Sequence, residues 1–506
     1  MEQYAEVALL VLVTVPGLRV LLKSPVRREA HAQPVLAAVA LLVIGAVVIA
    51  GVWAMRHSDG ARRAVVVSAT VVALLFWIRA RPMFGHARGL PPGSLGLARS
   101  LDAITDEDFY AKAATQWGQV FKMSQFHRPV VCIADLATGQ ELLDTQPDAF
   151  VQTAWGFNPL VPGGYVEFMD GDLHARTRQR FAGGFREDVL SDSRANIVAV
   201  IRRELASFGQ TANSREASPE AMLDHIAFAC VLRIVLGVES SDPRAATLAQ
   251  LFAALDRSVD TVLPPPSSVR SAFREIVHHV SGIARASDSG PDSKGRSVLS
   301  EAMRDDAGFL DDPTLVGNLV LMVSNGRDIL RGVLRWALKM IAEHDQWVRD
   351  LRAVAAETPA STITSDTLTN AFVLEVLRTH GSPYVYRVVA RTVWLGPFRI
   401  PKGWLLRLCV REAHHSAAKF PEPARFNPGR FAAHGQQQAA LCPFGHGPHA
   451  CLADQLTIYV ATTLVRELAL GFDTRIVNDG QPENRNRHWQ FWRPSRQLRI
   501  GLRAIG

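Results

Sequence analysis

Phe444-Gly445-His446-Gly447-Pro448-His449-Ala450-Cys451, followed by an apolar run from Leu452 to Leu468, is the most informative stretch of the chain. In that run Leu452, Leu456, Tyr459, Val460, Thr463, Leu464 and Leu468 fall near one face of a helix, with Gly471 placed to cap it. Two glycines and a proline in the preceding turn allow the backbone to approach a flat ligand closely. Cys451 is thereby placed at a helix N-terminus, where unsatisfied N–H groups and the positive end of the dipole favour a thiolate. Such a thiolate is a strong electron-donating axial ligand for a haem iron. The bland alternative is a small buried cysteine that only packs.

The surrounding pattern resembles the haem-binding loop of the cytochrome P450 family, Phe-x-x-Gly-x-(Arg or His)-x-Cys-x-Gly. Phe444, Gly447, His449 and Cys451 match, and Ala453 stands where the family has its last glycine. The resemblance implies haem b, bound through the Cys451 thiolate, with His449 donating to a haem propionate. Cys442 has no place in the pattern and reads as a bystander.

Three further motifs lie upstream in the family's order. Glu375-Val376-Leu377-Arg378 puts a carboxylate and a guanidinium on one helical face. Phe420-Pro421-Glu422-Pro423-Ala424-Arg425-Phe426 resembles the family's proline-rich segment, which implies that Arg425 completes a buried Glu-Arg-Arg network with Glu375 and Arg378. In Gly171-Asp172-Leu173-His174-Ala175-Arg176-Thr177-Arg178, His174 and Arg178 are four apart and share a face. By resemblance this pair reaches haem propionates, and Arg387 is a further propionate partner. The resemblance covers roughly residues 90–506 and implies a mainly α fold with small β-sheets.

The pattern departs from the family at one place. Where the long central helix of the family carries (Ala/Gly)-Gly-x-(Asp/Glu)-Thr-(Thr/Ser), this chain has Asn325-Gly326-Arg327-Asp328-Ile329-Leu330. The glycine and the acid remain, but the hydroxyl is replaced by Ile329, which cannot donate a hydrogen bond or order a water. Asn325 and Ile329 are expected to face the haem together. The proton route then runs through a modified relay, or the enzyme performs peroxide-driven oxidation, rearrangement or bond coupling. Arg327 has two readings, recognition of an acidic substrate or contact with neighbouring protein.

Outward from these motifs, short strands are expected at Val120–Met123, Val130–Ile133, Val388–Trp394 and the C-terminus, and a long helix at Pro313–Ala342. Trp155, Phe157 and Tyr165 either roof a partly apolar substrate pocket or close the core. Leu263–Ser268 and Ala286–Ser297 read as surface loops. Gly89-Leu90-Pro91-Pro92-Gly93 reads as a stiff hinge within residues 82–93, between a membrane segment over 1–81 and a haem domain over 94–506.

With 506 residues, 48% of them hydrophobic, 20% charged, and a mean hydropathy of +0.07, the chain is neither a disordered protein nor a small disulfide scaffold. The apolar excess sits at the front, in three stretches at about 7–22, 34–55 and 64–78 that read as transmembrane helices. Basic residues beside them place the large C-terminal part on the cytoplasmic side of the cell membrane. Five scattered cysteines suit a reducing compartment. No flavin or nicotinamide fingerprint follows Cys451, so a separate donor is expected. A net charge of +7 suits an acidic ferredoxin-like or flavodoxin-like partner with its reductase. No nucleic-acid recognition motif is present. The expected activity is monooxygenase-type oxidation of a small molecule. A haem sensor without catalysis is the rival compatible with Ile329, and the intact Cys451, Glu375 and Arg378 oppose a degenerate scaffold.

Overall fold

The computed structural model describes residues 89–505, apart from 96–102, 104–105, 107, 126–127, 153–159, 213–216, 257–266, 288–295, 306–307, 357–364, 433–435, 481–482 and 485–491. The three apolar stretches at 7–22, 34–55 and 64–78 lie outside the described residues, as do Trp155, Phe157 and most of the two expected surface loops. Among the described residues no helix is long and apolar enough to cross a membrane.

By its internal packing the chain divides into two units. The first, whose described residues fall within 89–133, 146–150 and 387–407, carries a mixed sheet. Its strands are β1 (Gly93–Ser94), β2 (Val120–Gln125), β3 (Arg128–Ile133), β4 (Phe150–Val151), β5 (Val385–Val389) and β8 (Leu405–Leu408), in the order β1-β2-β3-β8-β5-β4. Val130, Val131, Cys132 and Ile133 are all fully buried, so β3 is an apolar run covered on both faces. β2 and β3 pair antiparallel from Val120↔Ile133. The strand expected over Val388–Trp394 is broken in two: β5 stops at Val389, and a separate hairpin of β6 (Val393–Leu395) and β7 (Phe398–Ile400) turns at Gly396, φ +56°. The described part of the expected hinge lies folded on this unit. The Pro92 carbonyl accepts from Lys122 N–H at 2.7 Å, and the Gly89 carbonyl from Arg399 N–H at 2.5 Å.

The second unit, residues 134–145, 151–386 and 408–506, is mainly helical. Its longer helices are α1 (Gly171–Ala182), α2 (Arg194–Ala212), α3 (Glu220–Leu236), α4 (Pro243–Asp256), α5 (Ser267–Ser287), α6 (Pro313–Glu343), α7 (Asp345–Ala356), α8 (Ser365–His380) and α9 (Asp454–Gly471). α6 starts where Asp312 accepts a hydrogen bond from Thr314 N–H and Pro313 takes the first helical position. It then runs through the main core, with Leu319, Val320, Val323, Leu334 and Ile341 fully buried. α3 is buried along residues 226–236 and packs lengthwise on α6, as an all-round apolar helix must. α9 packs against α6 and α8. Gly471 is the last residue of α9 rather than a cap beyond it, because the chain passes directly into β9 (Phe472–Asn478), which pairs antiparallel with β10 (Arg499–Ala504).

Candidate functional site

The 444–453 stretch folds as a cradle. Gly445 (φ +80°) and Gly447 (φ +70°) hold left-handed conformations that side chains disfavour, and a Cβ at Gly447 would meet nothing within 4 Å. Cys451 N–H donates to the Phe444 carbonyl at 2.9 Å and closes the loop. Ala453 N–H donates to Cys451 Sγ at 3.3 Å. Ala453 has φ −105°, so alanine sits without strain where the pattern carries glycine. Phe444, Leu452 and Ala453 anchor the loop on the main core.

Cys451 is exposed, whereas Cys132, Cys230, Cys409 and Cys442 are buried. Protein nevertheless crowds Cys451 closely. Burial pushes its thiol up, while the Ala453 N–H and the Arg178 charge pull it back. Arg178, half-buried on α1, is pushed down by burial and raised by the charges of Cys451 and Asp454. One turn before it, His174 is 4% exposed and stacks on His449 with ring centroids 3.9 Å apart. His449 Nε2 lies 3.9 Å from Asp170 Oδ1, an ion pair when the imidazole is protonated. The shared face of α1 and the cysteine loop are thus brought together, with His174 stacked on His449 and Arg178 close enough to Cys451 for their charges to interact.

The Glu375–Arg378 pair lies on α8 with both side chains fully buried. Arg378 Nε donates to Glu375 Oε2 at 2.7 Å and Nη2 to Oε1 at 2.8 Å. Arg378 also donates to the His414 carbonyl at 2.7 Å and the Pro423 carbonyl at 2.9 Å. The third member of the network is Arg430, not Arg425. Arg425 is 68% exposed and pairs with Glu422 at 3.3 Å, not with Glu375. Arg430, 4% exposed, donates from Nε to Glu375 Oε1 at 3.1 Å, and its other nitrogens reach the carbonyls of Pro421, Glu422 and Arg425. The physical reason is a local turn. Asn427 caps a 3-10 segment, Pro428–Phe431, through Gly429 N–H, and this turn carries Arg430 inward. The Asn-Pro pair was the sequence signal for that turn. Arg430→Ala is expected to destabilise the protein by about 3 kcal/mol, since it uncovers a buried carboxylate. Arg425→Ala is expected to stay within about 0.5 kcal/mol of the parent. Denaturant unfolding of the two variants checks the assignment.

Cys442 takes part in the loop after all. Its N–H donates to His414 Nε2 at 2.9 Å, and its thiol donates to the Gly445 carbonyl at 3.3 Å. Burial pushes the His414 pKa down to about 3, so the ring is the neutral acceptor this bond requires. His414 therefore joins the Arg378 network to the base of the cysteine loop, a link for which the sequence carried no motif.

On α6, Arg327 is buried and donates to Asp224 of α3 at 2.9 and 2.5 Å, which settles it as a contact to neighbouring protein. Burial alone would raise Asp224, but Arg327 and Arg331 outweigh it and hold the carboxyl low. Asp328 accepts from Arg331 at 2.5 Å. Asn325 is half-buried, and Ile329 is 40% exposed on a helix otherwise mostly buried. Arg387 lies buried on β5, in the sheet unit.

A family model for cytochrome P450 matches residues 102–502. The chain belongs to the cytochrome P450 family. Abscisic acid 8'-hydroxylase 3 of Oryza sativa subsp. indica is 25% identical over 423 residues, which are 78% of this chain and 83% of that protein. Abscisic acid 8'-hydroxylase 2 of Arabidopsis thaliana is 22% identical over 417 residues, 77% and 85% of the two chains. The structure of cyanobacterial CYP120A1 with retinoic acid bound matches with a TM-score of 0.68 at 21% identity, covering 83% of this chain and 100% of that one. At that identity the fold is what is shared. Members of the P450 family bind haem through a cysteine thiolate, and the chain is a cytochrome P450 monooxygenase.

The residues present fit that haem. The Cys451 thiol is the accessible one, it receives the Ala453 N–H, and open space surrounds the Gly447 cradle. Arg178, His174 and His449, gathered beside Cys451, are of the kinds that would pair with an anionic ligand periphery. When bound, the haem supplies dioxygen activation, and the thiolate supplies electron density to the iron. The protein's own part is to hold Cys451 in a loop fixed at Phe444, Ala453 and, through Cys442, at His414.

Proposed function

We propose that this P450 is a membrane-anchored monooxygenase that oxidises a partly apolar small molecule with electrons from a separate ferredoxin-like or flavodoxin-like donor and its reductase. The observation that carries the reading is the Cys451 loop, whose accessible thiol lies among His174, Arg178 and His449. In this reading those three residues hold haem propionates. Asn325, Asp328 and Ile329 belong to the helix face above the haem.

Anchoring is supported by the three apolar stretches in residues 1–81. It is also supported by Trp394, 56% exposed on the β6–β7 hairpin and lying against Gly89, the first described residue after them. The multi-pass topology and a cytoplasmic haem domain follow the same basic residues noted in the sequence.

The named ligands of the relatives and of the structural neighbour, abscisic acid and retinoic acid, are both acids, so apolar acids are the first compounds to test. The full chain in lipid nanodiscs is expected to show a ligand-induced shift of the haem spectrum with one or more of them. It is then expected to yield a product carrying one added oxygen atom only when dioxygen and a reductase system are both supplied. Product formed with peroxide alone, and none with reductase, would favour the second reading of atypical chemistry, which the side chain at Ile329 motivates. A spectral response with no product under either condition would favour the sensor.

A further inference from the structure

We propose that the Tyr165 hydroxyl is the hydrogen-bond donor of the chamber above the haem, taking the place of the hydroxyl that position 329 lacks. The proposal rests on the reading that Asn325 and Ile329 face the haem.

The segment before α1 is clamped to α6 on both sides of Tyr165. Asn318 is fully buried on α6, and its Oδ1 accepts from Val166 N–H at 2.7 Å. Its Nδ2 donates to the Gly164 carbonyl at 3.0 Å and to Thr314 of its own helix at 2.8 Å. One amide therefore fixes the backbone immediately before and immediately after Tyr165. The approach is close: a Cβ on Gly163 would lie 2.5 Å from the Thr314 side chain, and one on Gly317 would lie 2.9 Å from Val161. Neither residue could be larger without moving the segment off the helix.

Asn325 follows Asn318 by seven residues, within about 20° of two full turns, so both amides lie on one face of α6. The first holds the backbone of the segment, and the second hydrogen-bonds the Tyr165 phenol. The ring is 7% exposed and meets Phe168 edge-on, with centroids 6.0 Å apart, which leaves it little rotational freedom. Burial, together with the charges of Glu167 and Cys451, holds the phenol well above the usual tyrosine range despite the Asn325 hydrogen bond. It stays protonated and remains a donor.

Of its neighbours on α6, Asn325 is engaged with the phenol itself. Ile329, one turn beyond Asn325, has no donor, and the Asp328 carboxylate is taken by Arg331. Tyr165 thus offers an O–H to an ordered water or to an acceptor oxygen of the substrate, in an orientation set by two asparagines.

The test uses the full-length holoprotein and the variants Tyr165→Phe, Asn325→Leu, Ile329→Thr and Tyr165→Phe/Ile329→Thr. The first readout is the stretching frequency of carbon monoxide bound to the reduced haem, which reports hydrogen-bond donors nearby and needs no turnover. The second is product formed per electron pair consumed. Tyr165→Phe and Asn325→Leu are both expected to move the carbonyl band, and Tyr165→Phe to lower product per electron pair by about tenfold. Adding Ile329→Thr to Tyr165→Phe is expected to recover most of that loss. If Ile329→Thr moves the band while Tyr165→Phe and Asn325→Leu leave band and coupling unchanged, the proposal is overturned and the haem-facing assignment of α6 stands. If none of the variants moves the band, that assignment falls and the proposal with it. Should Tyr165→Phe fail to fold, Asn325→Leu decides the matter in the same way, because it keeps the phenol and removes its partner.

Discussion

In Cys451→Ser, the reduced, carbon-monoxide-treated protein shows no absorption band of thiolate-ligated haem, and substrate oxidation falls by about three orders of magnitude or more, about 4 kcal/mol of barrier. Serine keeps the size of the side chain and still accepts the Ala453 N–H, so the loop retains its shape. What it loses is the anion. A serine hydroxyl stays protonated near neutral pH and donates little electron density to iron, whereas a thiol ionises far more readily, and the Ala453 N–H and the Arg178 charge partly offset the burial that pushes Cys451 up. No other cysteine among the described residues can substitute, because the remaining four are buried away from the surface. A thiolate-type band that survives in Cys451→Ser would remove the haem-ligand assignment outright.

The second large effect is on stability. Glu375→Ala leaves Arg378 buried without its carboxylate and also strands Arg430 and the Asn427 N–H, which donates to Glu375 Oε1 at 2.8 Å. Arg378→Ala takes from the carboxylate two of its donors, leaving it Arg430 and the Asn427 N–H on Oε1, and removes the Arg378 bonds to the carbonyls of His414 and Pro423. Each single change is expected to cost about 3–5 kcal/mol, because an uncompensated charge remains in the interior. The double variant Glu375→Ala/Arg378→Ala is expected to cost less than the sum of the two, since each single variant already breaks the shared bonds. Chemical unfolding with haem absorbance as a parallel signal measures both. Single variants that cost under about 1 kcal/mol would show that the network does not bear on the fold.

Much of this was legible from residue type and spacing, where the governing contacts are local. The i, i+3 pair Glu375–Arg378 and the i, i+4 pair His174–Arg178 each sit on one helix, so spacing fixes their geometry before any tertiary contact forms. The glycines at 445 and 447 announced a turn for the same reason. What escaped was decided by long-range packing or by turns. Arg430 rather than Arg425 enters the core because a five-residue difference in a proline-rich segment depends on where one 3-10 turn begins. His414 binds Cys442 across 28 residues, and Arg327 binds Asp224 across 103. Neither distance leaves a periodic trace. Tyr165 was visible as an aromatic residue, but its hydrogen bond depends on the asparagine clamp to α6.

The Glu375 network also orders events in time. Glu375 and Arg378 meet as soon as the turn of α8 that carries them winds, with almost no chain to close. Arg430 reaches the same carboxylate across 55 residues, a closure that costs about 3.5 kcal/mol of chain entropy. A nascent chain that ends before residue 430 therefore carries the first pair and lacks the second, and Cys451 has yet to be made. Cofactor capture belongs to the last stage of folding, when a C-terminal segment drawn back onto an older helix brings the ligand thiol with it.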